Sequence, residues 1–183
     1  CVMASKIAAI TLIIILGLIN TSIAGKEKLL ASGKIVYLQL APVDPRSLMQ
    51  GDYMALRFAL ADDVKNALPF DKNIGNNASH SDLQPPSEGD VVVRLDAQGI
   101  GKFEALYHAQ PMEADQILMH YRVRNGSVKL ASNAFFFQEG QSQDYVGARY
   151  GQFRVSDSGD ILLADLYDEN LNILGIRKEP APD

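Results

Sequence analysis

The residues best suited to chemistry in this 183-residue chain crowd into one run, Ala41 to Phe58. Asp44, Arg46, Asp52 and Arg57 stand there among Pro42, Pro45 and Gly51. Proline disfavours helix in the residue before it. Asp44-Pro45-Arg46-Ser47 reads as a turn, because Pro45 presets φ and the Asp44 carboxylate can accept from nearby backbone N–H groups. Gly51 admits backbone conformations that a side chain would forbid. Asp52 can cap that turn or pair with Arg46. Two readings follow. One is a rigid strand-to-strand corner whose charges serve local geometry. The other is a polar recognition site built from Asp44, Arg46, Asp52 and Arg57.

Hydrolysis is the next chemistry to weigh. Membrane-anchored serine peptidases of the signal-peptidase type carry a nucleophilic serine upstream of a Gly-Asp that opens a strand. Ser47 before Gly51-Asp52 is similar in order. The detail departs: the Ser-Met-x-Pro run is missing and Ser47 sits closer to the Gly-Asp. A serine nucleophile of this kind also needs a lysine base, and nothing around Lys65 or Lys102 marks either as desolvated. The non-enzymatic reading is preferred, with a membrane-bound hydrolase as the alternative. His80, His108 and His120 are isolated, with no HxH or HExxH spacing, and read as surface or strand-packing residues. Gly99-Ile100-Gly101 lacks the helix and Lys-Ser/Thr of a phosphate loop. No metal and no cofactor is expected.

These residues need a scaffold, and the chain opens with an unusual one. Ile7 to Ala24 carries no charge and is flanked by Lys6 and Lys26. As a helix it would rise about 27 Å, close to the ~30 Å hydrocarbon core of a bilayer. The helical pattern runs on through Leu30 and Ala31 to Gly33, a plausible helix-ending glycine. A retained signal anchor is favoured. The alternative is a signal peptide cleaved after Ser22-Ile23-Ala24, leaving Gly25 as the new terminus. Lys6 on one side and Lys26, Lys28 and Lys34 on the other nearly balance the positive-inside count. The expected topology is single-pass, with an exported C-terminal domain. Cys1 admits a lipoprotein reading, but a membrane-length apolar run after it favours Met3 as the start.

Beyond Lys34 the period changes to that of strands. Ile35–Leu40, Tyr53–Phe58, Asp90–Asp96, Lys102–Ala109, Gln116–Arg124, Val128–Leu130, Ala134–Gln138, Gln152–Val155 and Ile161–Tyr167 are β-branched or alternating. Asn125-Gly126 is a strong hairpin signal. Ala97–Gly101 and Ser156–Asp160 read as two further hairpin loops. Short helices are expected over Asp62–Leu68 and Gln141–Tyr150, with a long polar loop from Pro69 to Pro86. Alternation puts Phe135 and Phe137 on one face and Phe136 on the other; core packing is preferred over a partner-contact surface. The fold class is mainly β: an N-terminal transmembrane helix, then a small antiparallel barrel or sandwich with one or two short helices. The expected boundaries are 1–33 for the anchor, 34–177 for the β domain and 178–183 for a frayed tail.

A formal net charge of −5 argues against an electrostatic nucleic-acid binder. The single cysteine allows no intrachain disulfide.

With Gly51-Asp52-Tyr53, Leu56 and Phe58 in place, the chain resembles the GDYXXLXY protein family over its full length. Phe58 stands where that motif has tyrosine, keeping the ring and losing the hydroxyl. The Leu40–Arg46 lead-in, Glu139-Gly140 and Ala148-Arg149-Tyr150-Gly151 add to the resemblance. It implies a membrane-anchored bacterial protein, often encoded beside a polytopic membrane protein, and hence such a partner. The expected role is a non-enzymatic accessory or interaction subunit of an envelope assembly. Its expected surface is Asp44, Arg46, Gly51, Asp52, Tyr53 and Arg57, together with Glu139, Arg149 and Arg154, the last two able to pair with Asp44, Asp52 or Glu139. If the N-terminal segment is cleaved, a periplasmic small-ligand binder is the further alternative.

Overall fold

The structure is a computed structural model and describes residues 2–41, 49–50, 53–68, 88–132 and 134–175. It begins with one long helix, α1 (Val2–Ser32). Residues Ile10–Ser32 are long and apolar enough to cross a membrane, and their apolar window is wholly uncovered by the rest of the protein. A helix that is apolar all round needs an apolar surrounding.

The β domain follows directly: β1 (Lys34–Gln39), β2 (Met49–Gln50), β3 (Tyr53–Ala55), α2 (Ala59–Ala67), β4 (Glu88–Leu95), β5 (Gly101–Leu106), β6 (Gln116–Arg124), β7 (Ser127–Lys129), β8 (Ala134–Phe136), a 3₁₀ turn (Ser142–Tyr145), β9 (Tyr150–Val155) and β10 (Ile161–Tyr167). Three antiparallel sheets form, in the orders β1-β9-β10, β2-β3-β8 and β5-β4-β6-β7. They join into a curled half-barrel. Tyr37 bridges Ile100 in parallel, and Leu40 bridges Phe58. At the far end, His120 donates its backbone N–H to the Gly159 carbonyl at 2.8 Å, which draws the β9–β10 turn onto β6.

Strand alternation fills the interior. Ile117, Met119, Tyr121 and Val123 of β6 point inward while Arg122 and Arg124 point out. They meet Val91 and Val93 of β4, Val36 and Leu38 of β1, and Phe153 and Val155 of β9 in one core. The Asn125-Gly126 turn takes positive φ at both residues, 50° and 68°, as a tight primed turn requires.

Two expected elements differ. α2 starts at Ala59, three residues before Asp62, because Leu60 and Val64 stand one turn apart on a buried face and pull the first turn into the core. The segment Gln141–Tyr150 is not a helix; only Ser142–Tyr145 turns, and Tyr150 already belongs to β9.

Candidate functional site

Asp44, Arg46, Gly51 and Asp52 lie outside the described residues, as do Ser47, His80 and the Pro69–Pro86 loop. Residues 53–58 of the signature run are described, and strand alternation divides them. Met54, Leu56 and Phe58 face inward and are buried, whereas Tyr53, Ala55 and Arg57 face outward. Phe58 is 1% exposed and meets Phe153 edge-on, with ring centroids 5.0 Å apart. Its ring lies over Gly151 of β9. A Cβ there would stand 2.9 Å from Phe58 Cε1 and 3.0 Å from Leu163 Cδ1. Gly151 is thus the floor on which the last aromatic of the signature rests.

The outward half makes a surface. Tyr53 pairs in register with Phe136 across β3 and β8, with rings 5.8 Å apart. Phe136 is 73% exposed. Its neighbours turn the other way: Phe135 and Phe137 both pack on Tyr145, at 5.2 and 5.3 Å. The alternation expected for the three phenylalanines is therefore present, but the core packing preferred for them holds only for Phe135 and Phe137, because β8 has an uncovered outer face and leaves Phe136 on it. Burial holds the Tyr145 hydroxyl's pKa above its ordinary value, with Asp144 and Asp165 adding to the shift. Arg57, two residues beyond β3 on the same outward side, pairs with Asp62 of α2 at 2.7 Å. That bond raises the guanidinium's pKa and ties the end of the signature to the helix after it.

The other expected site residues go elsewhere. Arg154, on β9, donates to the Gly33 carbonyl at 3.3 Å instead of meeting Glu139. Gly33 closes α1 through its N–H to the Leu29 carbonyl at 2.8 Å. The glycine is needed for close approach and not for a left-handed φ: a Cβ would sit 2.5 Å from that carbonyl oxygen and 3.1 Å from Arg154 Cβ. Leu29 is buried here, so α1 is seated on the domain at its last turn. Arg149 donates to the neighbouring Ala148 carbonyl at 3.4 Å. Its backbone links Leu40 to Tyr167. Glu139 is exposed on a turn and makes no ion pair among the described residues.

Three polar groupings gave no advance signal, because each depends on strand register. Arg94 gathers Glu104, Glu113 and Asp115 at 2.6–3.0 Å, and its pKa is pushed up by those bonds. Gln152, 5% exposed, donates to the hydroxyls of Tyr37 and Tyr167 at 3.2 and 2.8 Å. His120 Nδ1 meets Asp90 Oδ1 at 2.9 Å, as neighbours in register across β6 and β4. His108 is exposed beyond β5, on the other side of β4, so the two histidines do not converge. Lys65 and Lys102 are also exposed. Among the described residues no group of three His, Cys, Asp or Glu is placed to hold a metal ion.

An apolar N-terminal helix seated on a curled antiparallel domain, with a signature strand that is half core and half surface, defines the class. The chain belongs to the GDYXXLXY protein family, whose match spans residues 15–166. No curated protein and no solved structure matches it.

Proposed function

We propose that this chain is a single-pass membrane-anchored interaction subunit, non-enzymatic, with its β domain on the exported side of a bacterial inner membrane and a polytopic membrane protein as partner. The observation that carries this reading is the seating of α1. Its apolar surface is left bare, yet its last turn is fixed to the domain by Leu29, Gly33 and Arg154. A helix so attached sets the height and tilt of the domain above a bilayer, which a merely tethered domain would not need. The working surface in this reading is the Tyr53–Phe136 pair, with Arg57 farther along the same outward side. A half-buried tyrosine with a largely exposed phenylalanine against it suits a protein contact better than open water.

The test is purification of the full chain from native membranes in mild detergent, with intact-mass measurement of the chain and of what accompanies it. An intact chain with a stoichiometric polytopic protein supports the reading. A chain beginning at Gly25 and running alone overturns it, since that cleavage would remove the apolar span while leaving Leu29 in place.

A further inference from the structure

The outer face of β6 is a ladder of cations. His120, Arg122 and Arg124 alternate with the buried residues and so share one side of the sheet. Lys129 of β7 stands directly opposite Arg122 in register. Like charges directly opposite each other destabilise a strand pair; Glu88 of β4, opposite Arg122 on its other side, offsets part of that repulsion, and a bound anion would offset more. α1 brings a fourth full cation: Lys26 lines the same cleft, of about 220 Å³, with Arg122, Arg124, Lys129, His120 and Asp160. None of Lys26, Arg122, Arg124 or Lys129 makes an ion pair among the described residues. Asp160 is part of the cleft's own lining, so the four cations face at least one acid there, and Asp90 and Glu88 stand against His120 at its edge, Glu88 at 3.9 Å from Nε2. Asp160 also accepts from Ser158. Four cations converging on one cleft are out of keeping with a chain of net charge −5.

We propose that this cleft binds a phosphate group, and that the phosphate is the headgroup of an anionic phospholipid. Arginines on a rigid strand present planar donors suited to phosphate oxygens, and lysine adds a point charge. Position decides the source. Lys26 immediately follows the uncharged stretch of α1, at the level where a spanning helix meets lipid phosphates. A lipid in this cleft touches both α1 and β6, so it clamps the domain onto its own anchor. The inference rests on α1 being retained in a bilayer.

The test is native mass spectrometry of the full chain, delipidated in neutral detergent and titrated separately with phosphatidylglycerol, phosphatidylcholine and inorganic phosphate. The same spectrum reports whether the chain is intact, which separates loss of the anchor from failure of the site. Wild-type protein should hold one phosphatidylglycerol in preference to phosphatidylcholine. The double variant Arg122→Gln/Arg124→Gln should bind it roughly thirtyfold more weakly, from the removal of two interfacial cations. Lys129→Gln alone should weaken it less, and Lys102→Gln, an equal charge change on exposed β5, should leave it unchanged. Circular dichroism checks that each variant is folded. Equal retention of both lipids, a double variant that binds like wild type, or tight inorganic phosphate that phosphatidylglycerol does not displace would each overturn the proposal.

Discussion

Gly151→Ala adds one methyl group at the point where the signature strand meets β9. The new Cβ would stand 2.9 Å from Phe58 Cε1, about 0.6 Å inside an ordinary ~3.5 Å carbon contact, and 3.0 Å from Leu163 Cδ1. Leu163 is only partly buried and can give, but Phe58 has little room to retreat. Phe58 is 1% exposed and braced edge-on by Phe153, itself fully buried. Overpacking of this kind costs about 1–3 kcal/mol, and the loss of glycine's unfolded-state freedom returns about 0.4–1 kcal/mol. The net expectation is a loss of about 1–2 kcal/mol, which for a chain of this size lowers the melting temperature by about 2–8 °C. The assay is thermal and urea unfolding of the full chain in mild detergent, followed by near-ultraviolet circular dichroism of the tyrosines. Phe58→Leu shortens the obstructing side chain, so the double variant should be more stable than the sum of the two singles by at least ~0.5 kcal/mol. A Gly151→Ala protein as stable as wild type, or strictly additive effects, would refute the account of Gly151 as the floor beneath Phe58.

Further predictions rest on other parts of the structure. Gln152→Ala removes the buried amide shared by Tyr37 and Tyr167 and should cost about 1–3 kcal/mol in urea unfolding. Tyr121, Tyr145 and Tyr167 have pKa values raised chiefly by burial. Their stabilising contribution is full below the unfolded value near pH ~10 and is lost as pH rises through the raised folded values. Unfolding free energy should therefore fall in that alkaline window, and ultraviolet titration of tyrosinate should show these hydroxyls ionising late. Arg154→Ala should leave the melting of the β domain nearly unchanged while loosening the seat of α1. Spin labels on Lys28 and on the exposed Asp157 would report this as a broader distance distribution. Phe136→Ser, at a largely exposed position, should cost at most about 1 kcal/mol, the worth of its cross-strand pair with Tyr53. The same substitution should reduce the co-purifying membrane protein; its full retention would count against the aromatic patch as the contact surface.

Much of this architecture is local chemistry and was readable from the chain alone. The apolar run of α1, the full extents of β6 and β10, the Asn125-Gly126 turn and the opposed faces of the three phenylalanines depend on periods of 3.6 and 2 within single elements. The GDYXXLXY signature, read as Gly51-Asp52-Tyr53, Leu56 and Phe58, is likewise a pattern of consecutive residues. Its division into a buried set and an exposed set follows from alternation, but what each set touches does not. That Phe58 rests on Gly151, that Arg154 reaches the end of α1 and not Glu139, and that α2 begins early to bury Leu60 are contacts between segments far apart in sequence. The cationic cleft is the clearest case. Arg122 and Arg124 are two ordinary outward residues of an amphipathic strand until register sets Lys129 opposite and the curl of the sheet brings Lys26 of α1 alongside. Composition and spacing fix which way a side chain points. Only tertiary packing decides what it meets there, because strand register and helix docking are set by the whole core at once.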